Sequence, residues 1–587
     1  MLRTEIDAEG IATLVLDLPG RSMNVMDWAL AAALGAQVER LAADPAVTGL
    51  ILTSGKASFM AGADLAIMRD LAAPGVTAGD AARRVAAIGA TFRRMETCGK
   101  PVVAAAPGTA LGAGLELMLA CHHRIAADAP KAAFGLPEVK LGLLPGAGGT
   151  QRLPRLVGLA GALPLLVEGR ALTAGEALAL GILDEVVPTE GLLHAARMVL
   201  RERRVSPVAP WDAKGFHWPG DAPASAHAQE LFALWNARTL AATCGNDPAP
   251  RAILSSVYEG ARLPFDAALK VERDLFATLV RGPVAQARIR TQFFARQASE
   301  RAGRRAGDPA DPLVAAGRAA YAAEARALLA EGASPVLVEN VARAAGFTRG
   351  PLTGGGASAA SPDGPSAAPL AVLPEETASA AARRHPDAEA PPSQAAPATP
   401  PEGSAPPVSG PTVQPSPGAS ATGSLPAGRG ASAQGTPVMP PAGASPPYLA
   451  PLAPPVAAPP SGTPPSGAVF PPAGPACETV PAPAPEEARE RLLLAPVLAV
   501  IRALGADRPA APDLVDLDAV TGWGFPAWTG GPLSYADRIG AAALAARCEA
   551  LAARHGPRFA APPLIVTLAG SRAGFHAGFH SMPGTAA

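Results

Sequence analysis

The stretch LGAGLELMLA, residues 111–120, sets one carboxylate, Glu116, among glycine, alanine, leucine and methionine. Taking an unpaired carboxylate out of water costs on the order of several kcal/mol, so such a residue is paired, protonated or kept for chemistry. A second acid, Glu138, follows Pro137 in GLPEVKLGLLPGAGGTQRL (135–153), and a tight glycine-containing loop, SFMAGADL (58–65), follows a strand-like run. A pair of acids is the raw material of general acid–base catalysis. Other chemistry is poorly supplied. His122 and His123 have no third ligand near them and read as strand packing, while His576 and His580 in GFHAGFH form a tail pair with as little support, so no metal site is expected. GAGGTQ lacks the GxxxxGK[ST] pattern of a phosphate loop. Cys98, Cys121, Cys244, Cys477 and Cys548 show no CxxC spacing, which fits packed thiols in a reducing compartment.

The elements that must position these acids are legible from periodicity. IATLVLDL (11–18), TGLILTS (48–54) and PVVAAAPG (101–108) read as strands. Between them Trp28, Leu30, Leu34, Val38 and Leu41 keep helical spacing, as do Val85, Ile88, Phe92 and Met95. The run from the third strand leads directly into LGAGLELM. Residues 1–190 therefore form an α/β domain large enough for its own core. Residues 191–310 read as a connecting helical segment, with DAALKVERDLFATLV (266–280), opened by Asp266 as a candidate cap, and PVAQARIRTQFFARQ (283–297). A helical piece follows at 311–352, and helical spacing returns in EEARERLLLAPVLAVIRAL, within a final segment 486–587.

Between these, 353–485 is almost entirely Pro, Ala, Gly and Ser and is expected to be disordered, since it cannot bury enough apolar area to offset chain entropy. It is either an evolved tether or the product of a shifted reading frame in a GC-rich gene, which the nucleotide sequence separates. About half of the 66 prolines fall in this segment. A net charge of −1 favours neither nucleic acid nor an anionic membrane, and no membrane span is read, so the chain is expected to be cytoplasmic.

The segments AGADL, ALGAGLEL, Pro137–Glu138 and LGLLPGAGGTQRLPRLVG, in this order and spacing, resemble the crotonase, or enoyl-CoA hydratase/isomerase, superfamily. The resemblance implies a crotonase-type ββα spiral for 1–190 and, residue by residue, water-holding and proton-transferring glutamates at Glu116 and Glu138. It implies an oxyanion hole from the backbone N–H groups of Ala63 and Ala113, and an acyl-CoA site along Ala61, Gly62, Asp64, Leu65, Gly112 and Gly114. Helix physics agrees, because Ala113 falls in a first helical turn, where N–H groups lack intrahelical partners and the dipole favours an anion. Glu116, three residues on, shares its face. The implied reaction is addition of water across a 2-trans-enoyl-CoA, with Glu138 as the principal proton donor and Glu116 as the main water holder; Δ3-Δ2 isomerisation is an accompanying expectation. The chain departs from the family pattern at Ala113, where glycine is common, and at Pro107, where asparagine is common.

The remainder resembles the larger multifunctional members of that family, in which a 3-hydroxyacyl-CoA dehydrogenase follows the hydratase. The pieces at 311–352 and 486–587 look like remnants of the dehydrogenase's C-terminal helices. The cofactor domain has no room between Arg305 and Leu313, and no GxGxxG follows a strand, so NAD is not expected and coenzyme A enters only as part of the substrate. Two alternatives remain: a non-catalytic acyl-CoA-binding or assembly subunit, and a bifunctional hydratase/dehydrogenase. A homo-oligomer or a thiolase β-subunit is the partner class that the resemblance implies.

Overall fold

The computed structural model describes residues 1–353, 483–505, 509, 511–571 and 573–576. The expected disordered segment 353–485 lies outside the described residues except at its ends, as do Cys477 and His580. The strands in chain order are β1 (Leu2–Ile6), β2 (Ile11–Leu16), β3 (Gly49–Ser54), β4 (Val102–Ala106), β5 (Ala110–Leu111), β6 (His123–Ala127), β7 (Phe134–Gly135), β8 (Ala171–Leu172) and β9 (Glu185–Val187). The main sheet runs β1-β2-β3-β4-β6-β9, antiparallel at β1–β2 and parallel from β2 onward. A small sheet, β5-β7-β8, holds the segments that flank Glu116 and Glu138.

Helices α1 (Trp28–Ala43), α2 (Ala66–Ala72), α3 (Ala78–Glu96), α4 (Ala113–Leu119), α5 (Gly149–Glu168), α6 (Ala174–Ala179) and α7 (Leu192–Arg201) connect and cover the strands. Each central strand is buried on both faces, as parallel sheets require. On β4, Val102, Ala104 and Ala106 enter the main core, while Val103 and Ala105 turn to the other face, against Leu192, Ala196 and Val199 of α7. Leu30, Leu34, Val38 and Leu41 of α1, and Val85, Ile88, Phe92 and Met95 of α3, fill the main core as their spacing predicts.

That core does not stop at residue 190. Phe232 and Trp235 of α8 (Ala226–Thr243), Ile253, Leu254 and Val257 of α9 (Pro248–Gly260), Phe276 and Val280 of α10 (Phe265–Arg281) and Ala285 of α11 (Pro283–Arg288) are buried in the same cluster as Leu34, Phe92 and Phe134. The segment 191–310 is thus core-forming as well as connecting. Asp266 is not the cap of α10: Pro264 precedes the helix, and Asp266 sits in its first turn, bonded by Arg93 Nε at 2.8 Å.

The pieces 311–352 and 486–587, separate in sequence, share one helical core. Helix Pro312–Ala330 and helix Pro335–Ala345 pack with helices Pro485–Leu504, Pro512–Trp523, Pro532–Ile539, Ala541–His555 and Pro563–Ser571 around Leu328, Leu498, Trp523 and Phe525. Tyr321 and Phe347 stack at 4.2 Å within it. Fully buried Arg491 reaches Glu324 at 2.6 Å and Glu331 at 2.5 Å, a paired charge in place of a bare one. Thr291 Oγ1 donates to Gly530 O at 2.6 Å, and Arg290 Nη2 donates to Ser534 Oγ at 2.5 Å, tying the segment after α11 to these helices. Among the described residues no helix is long and apolar enough to cross a membrane.

His576 has more company than its place near the tail suggested. It is buried, with Nδ1 2.7 Å from Asp537 and Nε2 3.2 Å and 3.3 Å from Asp513 and Asp516. Burial alone would lower its pKa, but the Asp513, Asp516 and Asp537 carboxylates around it, the last hydrogen-bonded to Nδ1, push it up to about 10. The folded state therefore holds the proton more tightly than the unfolded chain does, so the stabilisation is complete below about pH 6.5 and is lost as pH rises through 10. His576→Ala is expected to lower the melting temperature at pH 6 and to leave a flatter loss of stability between pH 7 and 10; equal alkaline profiles in the two proteins would contradict the assignment.

Candidate active site

The loop before α2 and the start of α4 are brought edge to edge by backbone bonds. Leu111 N donates to Met60 O at 3.0 Å, Phe59 N donates to Thr109 O at 3.0 Å, and Gly112 N donates to Gly135 O at 2.9 Å. Asn24, wholly buried, steadies the first loop by donating to Leu16 O, Ser54 Oγ and Phe59 O. Met26 binds Gly62 O and Asp64 N, so the Ala63 N–H between them is left out of that bridge. The Ala113 N–H lies ahead of the first intrahelical bond of α4, Glu116 N to Gly112 O. Pro107 supplies no donor. The pairing downstream of it, from Phe59 and Met60 to Thr109 and from Ala110 to Ala133, is nonetheless complete.

Gly112 makes the approach feasible. Its φ of 52° and ψ of −126° suit glycine alone, and a methyl group there would lie 2.7 Å from Glu138 Oε1 and 3.5 Å from Gly62 Cα. Of the other residues expected along the acyl-CoA site, Ala61 N donates to Asn24 O at 2.9 Å, Asp64 caps Ala66 N at 2.9 Å and pairs with Arg21 at 2.6 Å, and Leu65 precedes α2. Gly114 packs against Met60, whose carbonyl a methyl group would meet at 2.6 Å.

Glu116 is buried on α4 and its Oε1 accepts from the N–H groups of Ala147 and Gly149, both at 2.8 Å. Burial raises its pKa, opposed by those two donors and by the Arg152 charge. Glu138 rides the short helix Pro137–Leu141, and its Oε2 is buried with no hydrogen-bond partner among the described residues. Burial, then the Glu116 charge and the Glu272 charge, hold Glu138 well above the usual carboxylate range. Of these two neighbouring acids, one has an unpartnered oxygen and one is supplied with two N–H donors, which favours the proton on Glu138 over Glu116.

The loop that feeds Glu116 is itself anchored. Arg152 donates from Nε and Nη2 to the two oxygens of Glu96 at 2.7 and 2.8 Å, and from Nη1 to Ala147 O at 2.6 Å. Glu96 and Arg152 are both buried. Glu96→Ala would strand the guanidinium, so it is expected to cost about 3–5 kcal/mol of unfolding free energy; an unchanged urea midpoint would contradict this. Glu272 of α10 also reaches this loop, a residue that the sequence reading passed over. Its signal was present: Ala268, Glu272 and Phe276 fall at four-residue spacing on one buried face. The His122 ring takes the Val102 N–H on Nδ1 at 3.1 Å and lies 3.1 Å from Glu96 O through Nε2, and His123 pairs with Glu185 at 3.2 Å.

A two-sheet α/β domain with two buried glutamates at the meeting of a loop and a helix start is of the crotonase class. Residues 7–209 match the family described as "Enoyl-CoA hydratase/isomerase", which identifies this part of the chain as a crotonase-family domain. It is 38% identical over 294 residues to "Fatty acid oxidation complex subunit alpha" of Shewanella amazonensis, covering 49% of this chain and 40% of the relative. It is 39% identical over 292 residues to the protein of that name from Idiomarina loihiensis, covering 50% and 40%. The chain thus spans about two fifths of the length of these curated relatives. Among solved structures it is similar to Pseudomonas aeruginosa DspI, with 33% identity, 35% of this chain and 81% of that one covered, and a TM-score of 0.31. It is also similar to the enoyl-CoA hydratase from Bacillus anthracis, with 26% identity, 52% and 96% covered, and a TM-score of 0.32.

Proposed function

We propose that the chain hydrates 2-trans-enoyl-CoA to 3-hydroxyacyl-CoA, a step of fatty-acid β-oxidation. The observation that carries the reading is Glu138 Oε1 set against Gly112, beside Gly62, with Glu116 from the same helix start close enough for its charge to raise the Glu138 pKa. In this reading the Ala63 and Ala113 N–H groups receive the thioester oxygen as it becomes an enolate, each preorganised donor lowering the barrier by about 3 kcal/mol. Glu116, ionised, holds the water and takes its proton as the oxygen adds to C3; Glu138, protonated, delivers its own proton to Cα, which collapses the enolate, and the proton then held by Glu116 passes to Glu138 to restore the pair. Two acids favour hydration over isomerisation alone, which runs on one. The acyl-CoA site follows Ala61 to Leu65 and Gly112 to Gly114.

No dehydrogenase step is included, because no dinucleotide fingerprint follows a strand in the sequence. NAD is accordingly no part of the proposed reaction, and coenzyme A enters with the substrate. The curated relatives' name supports placement in fatty-acid oxidation and assembly into a complex; a thiolase β-subunit or a second copy of this chain is the partner class we infer. The test is an assay of the full chain on a short and a long enoyl-CoA, following loss of the conjugated thioester absorbance with NAD present. Absorbance loss without NADH formation is the expected result; CoA-thioester binding without turnover would favour an assembly subunit, and NADH formation a bifunctional enzyme.

A further inference from the structure

Four successive N–H groups at the start of α5 are shared alternately between two buried carboxylates. Ala147 and Gly149 donate to Glu116, as above, while Gly148 donates to Glu272 Oε1 at 2.5 Å and Thr150 to Glu272 Oε2 at 2.8 Å. Thr150 Oγ1 adds a third bond to Glu272 at 2.5 Å and lies 2.7 Å from Ser256 Oγ of α9. Glu272 thus accepts three bonds, from Gly148 N, Thr150 N and Thr150 Oγ1, while Ser256 reaches it only through Thr150. The side chain is 1% exposed and comes from α10, outside the residues that match the family. Gly148 itself is confined between the two acids: its φ is 109°, and a methyl group there would collide with the Arg152 guanidinium.

Resting on the hydratase reading, we propose that Glu272 is a positioning residue: it clamps the Gly148–Thr150 turn from behind, so that Ala147 and Gly149 present their N–H groups to Glu116. The alternation makes the effect directional. If the turn rotates, the groups aimed at Glu116 move with those aimed at Glu272, because adjacent peptide planes share one backbone. The charged or titratable groups facing this assembly are Glu116 from α4, Glu138 from the short helix Pro137–Leu141, Arg152 and Arg155 from α5, and Glu96 from α3 behind Arg152. Burial and then the Glu116 charge push Glu272 up to about 8, against its three donors, and its own charge raises Glu138.

Glu272→Gln keeps the shape and presents an amide to Thr150 in place of an oxygen. Its kcat is expected to fall on the order of 10- to 100-fold, the cost of a small displacement at a site whose groups are preorganised, with KM within about twofold. The alkaline limb of its kcat–pH profile moves to lower pH, because one of the charges that raise Glu138 is gone. Thr150→Val, a milder change that removes the hydroxyl's contacts with Glu272, Ser256 and Gln151 but keeps the backbone donor, should lower kcat in the same direction, and Thr150→Ser should recover most of it. A lower melting temperature with kcat and pH profile unaltered in folded Glu272→Gln and Thr150→Val proteins would overturn the inference and leave a structural role. Glu138→Gln is run beside them. Hydration lost there but unaffected in Glu272→Gln overturns the positioning role alone, whereas a native chain with no hydration overturns the proposed function and this inference together.

Discussion

Replacing Glu138 with glutamine is expected to reduce enoyl-CoA hydration by about 10³-fold while the protein stays folded, because the amide keeps the volume and polarity of the acid but cannot deliver a proton. The expectation rests on the state in which the fold holds Glu138. Burial, the Glu116 charge and the Glu272 charge all raise its pKa, so it keeps its proton in the range where an ordinary carboxyl has lost it. Native hydration should therefore decline as pH rises through that elevated pKa, which is the sign expected when the protonated form does the work. Glu116→Gln should also be severely impaired. Its Oε1 takes the Ala147 and Gly149 N–H groups, and an amide turned to place nitrogen there would break both bonds. Activity per folded molecule and circular dichroism of both variants check these outcomes. Near-native turnover in either would remove that residue from the mechanism.

The second large effect is on folding. A chain ending at Val187 is expected to yield no soluble folded domain, because Phe232, Trp235, Ile253, Val257 and Phe276 beyond that point lie in the same core as the first helices. Their loss would expose a broad apolar face, a recognised aggregation liability, and would remove Glu272 from Gly148 and Thr150. A chain ending near Arg305 keeps all of these and should retain hydration, with a lower melting temperature because Arg290 and Thr291 lose Ser534 and Gly530. Solubility, melting temperature and hydration of the two truncated proteins decide the matter. A soluble, active chain ending at Val187 would show that α8 to α11 are not part of the catalytic unit.

Much of the first domain was legible because its signals are local. The apolar runs at 11–18 and 48–54 became β2 and β3, and an acid in an otherwise apolar helix marked Glu116. What escaped notice depends on distance along the chain. Glu272 carried the same kind of signal as Glu116, an acid on an apolar helical face, but no motif stood beside it, and its partners Gly148 and Thr150 lie more than a hundred residues earlier. His576 looked like a stray tail residue because Asp513, Asp516 and Asp537 meet it only in three dimensions. The helical core divided by 353–485 read as two fragments for the same reason: the apolar face of Pro312–Ala330 is answered by Pro485–Leu504, and no periodicity crosses the intervening segment.

The central claim, that Glu116 and Glu138 add water to an enoyl thioester, is tested most directly by incubating the full chain with a 2-trans-enoyl-CoA in ¹⁸O-labelled water and examining the product by mass spectrometry. The account predicts a 3-hydroxyacyl-CoA carrying a single ¹⁸O at C3, formed by the native chain and nearly absent with Glu138→Gln. Recovery of unlabelled enoyl-CoA, or of an isomer with no oxygen incorporated, would contradict it.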